Sequence, residues 1–218
     1  EPLPSRVLPG TLPPMSTLAL RSYFRSSASW RVRIALAYKS LEYEYIPVHL
    51  VKDGGEQHKD DHRALNPMRQ VPVLLDGDQA LAQSIAILEY LEERHPTPAL
   101  LPADPVARAQ VRQLAEIVNS GIQPLQNLRV MQALMGDYGL DRPKTVQWCR
   151  HWIANGFEAL EPLMARWSGK HSHGDELTFA DLLLVPQLYN ARRFELDLTP
   201  YPTLLRVEAA AEEHPAFV

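Results

Sequence analysis

The feature that most constrains this chain is a change of hydrophobic period partway along it. Strand-like alternation occurs only up to Gln83, and everything after Pro96 and Pro98 repeats at helical spacing. In the first half, TLALRSYF (Thr17 to Phe24) sets Leu18, Leu20, Ser22 and Phe24 against Ala19, Arg21 and Tyr23, which predicts a strand. SSASWRVRIALAYK follows as a helix, with Val32, Ala35 and Leu36 on its inner face and Arg31, Arg33 and Lys39 elsewhere. Ser27 or Ser29 would be its N-cap. A second strand reads Tyr43 to Leu50, and the polar stretch VKDGGEQHKDDHR turns at Gly54-Gly55. Val71 to Gly77 and Asp78 to Gln83 form a hairpin around Gly77-Asp78. Ser84 then caps a helix that turns Ile87, Leu88 and Leu91 inward. This order, within about 80 residues, predicts a small mixed sheet covered by helices.

The second half is expected to be all helix. Asp104-Pro105 is an N-cap and N1 pair. Val111, Leu114, Val118, Ile122 and Leu125 continue the stripe to Met135, a helix of about 45 Å kinked at Gly121 and Pro124. Asp141 and Pro143 open another helix, striped by Cys149, Trp152, Ile153, Gly156, Leu160 and Leu163. Thr178-Phe-Ala-Asp181 is a capping-box start for LLLVPQL. The expected division is a leader over residues 1–15, an α/β domain over 16–96, a linker over 96–104 and a helical domain over 104–218. The leader, EPLPSRVLPGTLPP and Met15, lacks the apolar run of a signal peptide, and Met15 is taken as the natural start.

Composition narrows the function classes. Apolar residues are 45% and charged residues 22% of 218, enough to bury a core. The formal net charge of -4 comes without a basic stripe, which argues against nucleic acid, and no apolar run reaches membrane length. Cys149 is the only cysteine, so neither a disulfide framework nor a cysteine-based zinc cluster can form, and a reducing, cytoplasmic setting is expected. His58 and His62 have i, i+4 spacing but no third ligand beside them, so no metal site is expected. The tryptophans Trp30, Trp148, Trp152 and Trp167 fit helix cores, and Cys149 fits the apolar stripe as an inert filler.

Three features of the first half could hold a ligand. Ser26-Ser27-Ala28-Ser29 puts hydroxyls and free N–H groups at the positive end of a helix. Gln83-Ser84 repeats that arrangement at a second helix start, where N–H groups suit a carboxylate. Between them Val71-Pro72, if cis, leaves the Val71 backbone open to an extended peptide-like ligand. Each feature alone is more often structural; together they describe a cradle for a short anionic thiol peptide, with the sulfur brought by the ligand.

SYFRSSASWRVRIALAYK, VKDGGEQ, ALNPMRQVPVL, QSIAILEYLEERHPTPALLPADP, GIQPLQNL, GDELTFADLLLVPQLYNARRF and DLTPYP resemble the zeta class of glutathione transferases, the maleylacetoacetate isomerases. The bacterial maleylpyruvate isomerases are close relatives of that class. The resemblance implies a thioredoxin-like N-terminal domain, an all-helical C-terminal glutathione-transferase domain and a cytoplasmic homodimer. It also implies glutathione as cofactor: Ser26 and Ser27 near the sulfur, Gln57 from the polar loop and the Val71 backbone at the cysteinyl part. Gln83 and Ser84 would hold the γ-glutamyl end, with Gln123 and Asn127 completing the site. Ala28 departs from the usual SSCSWR, so the bound thiol becomes the sole nucleophile and Ser27 the better candidate for steadying it.

The implied reaction is cis–trans isomerisation of a conjugated dicarboxylate, by thiolate addition, rotation and elimination. A thiol of pKa about 8.5 is only about 3% ionised at pH 7, so ionisation contributes at most about 30-fold. Positioning and enolate stabilisation must supply the rest. The two carboxylates suggest Arg25, Arg129 and Arg193 as substrate ligands. Maleylacetoacetate, in aromatic amino-acid breakdown, is the leading substrate. Maleylpyruvate isomerisation, conjugation of haloacids and other electrophiles, and a non-catalytic interaction module are the alternatives.

Overall fold

A computed structural model describes residues 18–217, so the expected leader and the start of the first strand at Thr17 lie outside the described residues. The chain orders as β1 (Leu18–Ser22), α1 (Ser27–Tyr38), β2 (Tyr43–Pro47), α2 (Asp60–Leu65), β3 (Val73–Asp76), β4 (Gln79–Ala82), α3 (Ser84–Arg94), α4 (Pro105–Glu116), α5 (Leu128–Gly136), α6 (Arg142–Trp167), α7 (Phe179–Arg193) and α8 (Pro202–Glu212). The sheet order is β2-β1-β3-β4, with β1 parallel to β2 and the other neighbours antiparallel. That is the thioredoxin-like arrangement, followed by a helical region. β1 is an interior strand, which is why Leu18, Ala19, Leu20 and Ser22 are all buried despite the alternation of the sequence. The hairpin turns on Gly77-Asp78 as expected, and Gly77 takes φ +56.

The structure corrects several local expectations. The polar stretch after β2 is not a plain loop: short 3-10 turns over Lys52–Gly54 and Glu56–His58 lead into α2. The N-cap of α1 is Ser26, not Ser27 or Ser29, because its Oγ accepts the Ser29 N–H at 3.2 Å. At α3 the cap position belongs to Gln83, at φ +73, and Ser84 is already the first helical residue. The long helix expected from Pro105 to Met135 is broken. After α4 a wide π turn spans Ile117–Ile122, a 3-10 turn follows over Gln123–Gln126, and Asn127 goes extended to cap α5. Pro124 lacks the N–H that the α ladder needs there, and the Asn127 side chain offers the next segment a new start.

α1 packs against α3 on one flank and α7 on another, so its burial runs well beyond the predicted face. Arg31, expected away from the core, is 1% exposed, and Lys39 is buried as well. The Trp30 ring meets Tyr189 of α7 edge-on at 5.7 Å. The α7 capping box forms as predicted: the Asp181 carboxylate accepts from the Thr178 N–H at 2.8 Å. Cys149 is fully buried, and desolvation pushes its thiol up to about 11. Among the described residues no helix is long and apolar enough to cross a membrane.

Candidate active site

A cavity of about 410 Å³ opens between the start of α1, the segment before β3, the broken helix and the end of α7. Ser26 and Ala28 line it, whereas Ser27 does not. Ser27 is buried, one residue and about 100° further round the helix. The serine that lines the cavity is Ser26, where the sequence favoured Ser27. The Ser27 backbone N–H is one of the first-turn donors that a helix leaves unpaired.

Gln57 lines the same cavity. Its Nε2 donates to the Leu50 carbonyl at 3.2 Å, and its buried Oε1 has no partner among the described residues. Val71 lies ahead of β3, outside the sheet ladder, and the Val71–Pro72 peptide is cis. Arg25, Arg129 and Arg193 all line the cavity, although they come from three separate segments. Arg25 lies over the Phe24 ring at 5.3 Å, and Arg193 Nη1 donates to Asn190 Oδ1 at 3.3 Å.

Beside the main cavity is a smaller pocket of about 50 Å³, sharing Ala28, Gln70, Val71, Gln123 and Asn127 with it. Gln83 and Ser84 line only this pocket. The residues predicted from α3 are therefore brought to a side chamber rather than to the main floor. Gln123 and Asn127 reach both chambers because the helix breaks there, and the Asn127 side chain also accepts the Arg129 N–H at 3.2 Å.

Sequence reasoning missed several wall residues. Arg69 lines the main cavity from a left-handed backbone at φ +54, and its signal was its place in NPMRQVP, two residues before Val71. Gln126 lines it too, with Nε2 donating to Gln187 Oε1 at 2.6 Å. Arg31 and Asn119 line the small pocket and carried no local signal. His62, weighed as a metal ligand, is fully buried and bonds the Gln70 carbonyl at 2.9 Å. Among the described residues, the walls of the main cavity carry Arg25, Arg69, Arg129 and Arg193 and no carboxylate, in a chain of net charge -4. Such a surface concentrates anions and suits a substrate with more than one carboxylate.

Comparison with known proteins identifies the family. Residues 16–93 match the family model described as glutathione S-transferase, N-terminal domain. A maleylacetoacetate isomerase of Dictyostelium discoideum is 50% identical over 199 residues, covering 91% of this chain and 90% of that protein. A maleylpyruvate isomerase of Ralstonia sp is 49% identical over 203 residues, covering 92% and 94%. The crystal structure of a maleylacetoacetate isomerase from Anaeromyxobacter dehalogenans 2CP-1, with bound GSH in its active site, aligns with TM-score 0.82 at 54% identity, covering 92% of this chain and 93% of that one. On the sequence motifs, the fold and these relatives together, the chain belongs to the glutathione transferase family, in its zeta class with the maleylacetoacetate isomerases.

Proposed function

We propose that the protein is a glutathione-dependent cis–trans isomerase that converts maleylacetoacetate to fumarylacetoacetate. The observation that carries this reading is the arginine-lined, carboxylate-free cavity opening at the start of α1. The chain's own residues fit glutathione. Val71 lies outside the ladder, the Gln57 Oε1 lacks a donor, and the side chamber offers Ser84 beside the buried Arg31 cation. Bound glutathione supplies a thiolate whose reversible addition makes the cis double bond single and free to rotate.

The protein's part is positioning and charge. The Ser26 hydroxyl and the N–H groups of Ser27 and Ala28 stabilise an anion at the positive end of α1. Gln57, Val71, Gln83, Ser84, Gln123 and Asn127 hold the tripeptide. Arg25, Arg129 and Arg193 fork onto the substrate carboxylates and steady the charge that develops on addition. No protein thiol competes, since Ala28 stands at the cavity and Cys149 is buried. Arg129 on the wall favours maleylpyruvate as the second substrate to be tried; haloacid conjugation would use the same thiolate. The working form is taken to be a cytoplasmic homodimer acting in aromatic amino-acid breakdown.

Turnover of maleylacetoacetate and maleylpyruvate, each with and without glutathione, tests the assignment. The expected result is faster conversion of maleylacetoacetate, with strict dependence on glutathione. Full activity after removal of the thiol would overturn it. Arg193→Ala should raise KM for the dicarboxylate much more than for glutathione, and equal effects would remove Arg193 from the substrate site.

A further inference from the structure

Arg31 is a buried cation with no ion pair among the described residues. Its Nη1 donates to Ser84 Oγ at 3.1 Å and to Asn119 Oδ1 at 2.9 Å, while Nε and Nη2 have no partner among the described residues. Desolvation lowers the guanidinium to about 10, with Glu116 pulling the other way, so it stays charged at neutral pH. A charged group buried without a direct ion pair is costly, and an anion placed in contact with it offsets that cost. The small pocket that Arg31 lines with Ser84, Asn119, Gln83, Gln123 and Asn127 has no carboxylate in its wall.

The hydrogen-bond polarity is also informative. A guanidinium can only donate, so Ser84 Oγ accepts from it and must send its own O–H elsewhere. The Ser84 hydroxyl is thereby set as a donor beside the unpaired N–H groups that open α3. Through Asn119 the same guanidinium holds the π turn that leads directly into Gln123.

We infer that Arg31 is a positioning residue for the α-carboxylate of the γ-glutamyl group, orienting Ser84 and Asn119 around the small pocket and supplying its positive charge. The inference rests on the glutathione reading above and adds to it a residue one turn along α1 from Ala28, on the wall of the same small pocket. It predicts that Arg31 matters to a ligand only in so far as that ligand carries this carboxylate.

The test compares glutathione with γ-aminobutyryl-cysteinylglycine, which lacks the carboxylate, by titration calorimetry on the full chain. Arg31→Met should weaken glutathione by roughly 10- to 100-fold, the range expected for lost charge-assisted hydrogen bonds. It should change affinity for the decarboxylated analogue by less than about 3-fold, a loss smaller than one hydrogen bond. Arg31→Lys, which keeps the buried charge should the Met variant fail to fold, is read on the same two ligands. It should lie between the wild type and the Met variant for glutathione and match the wild type for the analogue. Equal losses on both ligands, in whichever variant folds, would overturn the inference and make Arg31 a structural residue. A wild-type protein that binds no glutathione would overturn the functional reading, and this inference with it.

Discussion

Lys39 Nζ lies 2.7 Å from Glu92 Oε2, joining the end of α1 to α3 with both side chains shielded from water. The ammonium also donates to the carbonyls of His95 and Pro98, each at 2.7 Å, so all three of its hydrogens are placed. The carboxylate accepts the N–H groups of Leu100 and Leu101 in turn. The segment between sheet and helices, expected as a linker, is therefore pinned by one buried pair.

Removing the cation should cost more than removing the charge from its partner. Lys39→Met leaves the Glu92 carboxylate buried and unpaired, a loss of about 3–5 kcal/mol. For a chain of this size that lowers Tm by roughly 6–20 °C. Glu92→Gln keeps an acceptor for the Leu100 and Leu101 N–H groups and should lose less. Scanning calorimetry of both variants checks the order, and equal losses would show that the charge itself contributes little.

The approach of α6 to the broken helix leaves no room for a methyl group at Gly156. A Cβ there would lie 2.3 Å from Ile122 Cδ1 and Cγ1. Gly156→Ala should destabilise the protein by about 1–3 kcal/mol and disturb the neighbouring Gln123, raising KM for glutathione. Ile122→Ala clears the space, so the double variant should lose less than the two single losses combined. Simple additivity in urea melts would count against the clash.

Acid should weaken the fold through His62. The Gln70 carbonyl can only accept, so Nε2 carries the proton, and Nδ1 is buried without a partner among the described residues. Burial holds this imidazole below its ordinary 6.5, Arg21 adds to the depression, and the Gln70 bond offsets part of it. The unfolded chain therefore takes up the proton first. Stability should be level above pH 6.5 and fall below it, with a slope of at most about 1.4 kcal/mol per pH unit from this group. His62→Gln can keep the bond to Gln70 and should flatten that slope, leaving the part due to His95, also depressed by burial. Urea melts at pH 7.5 and 5.5 compare the two proteins, and an unchanged slope would exclude His62 as its source.

Cys149 should be silent. Buried, and with its thiol pushed up to about 11, it presents almost no thiolate at neutral pH. Iodoacetamide should label it only in denaturant, and Cys149→Ala should keep full kcat. Rapid labelling of the native protein would contradict its burial.

The alternation in Leu18–Ser22, the Gly77-Asp78 turn and the caps at Asp104, Asp141 and Thr178 were legible in the sequence, because turn and cap chemistry acts between neighbours. Ten of the eleven candidate site residues line one chamber or the other, Ser27 being the exception. The errors fell where a neighbouring element decides. Ser26 displaces Ser27 and Ser29 as cap, which is a question of one residue of phase. The helix after α4 breaks outright at Asn127, where local signals allowed only a kink.

The amino-acid order by itself determined a small mixed sheet and a helical second half, and it marked two helix starts and a Val-Pro step as candidates for a ligand cradle. It could not show that Arg31, on the side of α1 away from the predicted apolar face, is sealed in beside Ser84 and Asn119. Nor could it show that Arg69 joins Arg25, Arg129 and Arg193 around one cavity. Burial and field at a residue depend on what packs over it, and for α1 that cover comes from α3, α7 and the turn after α4, none of which its local period encodes.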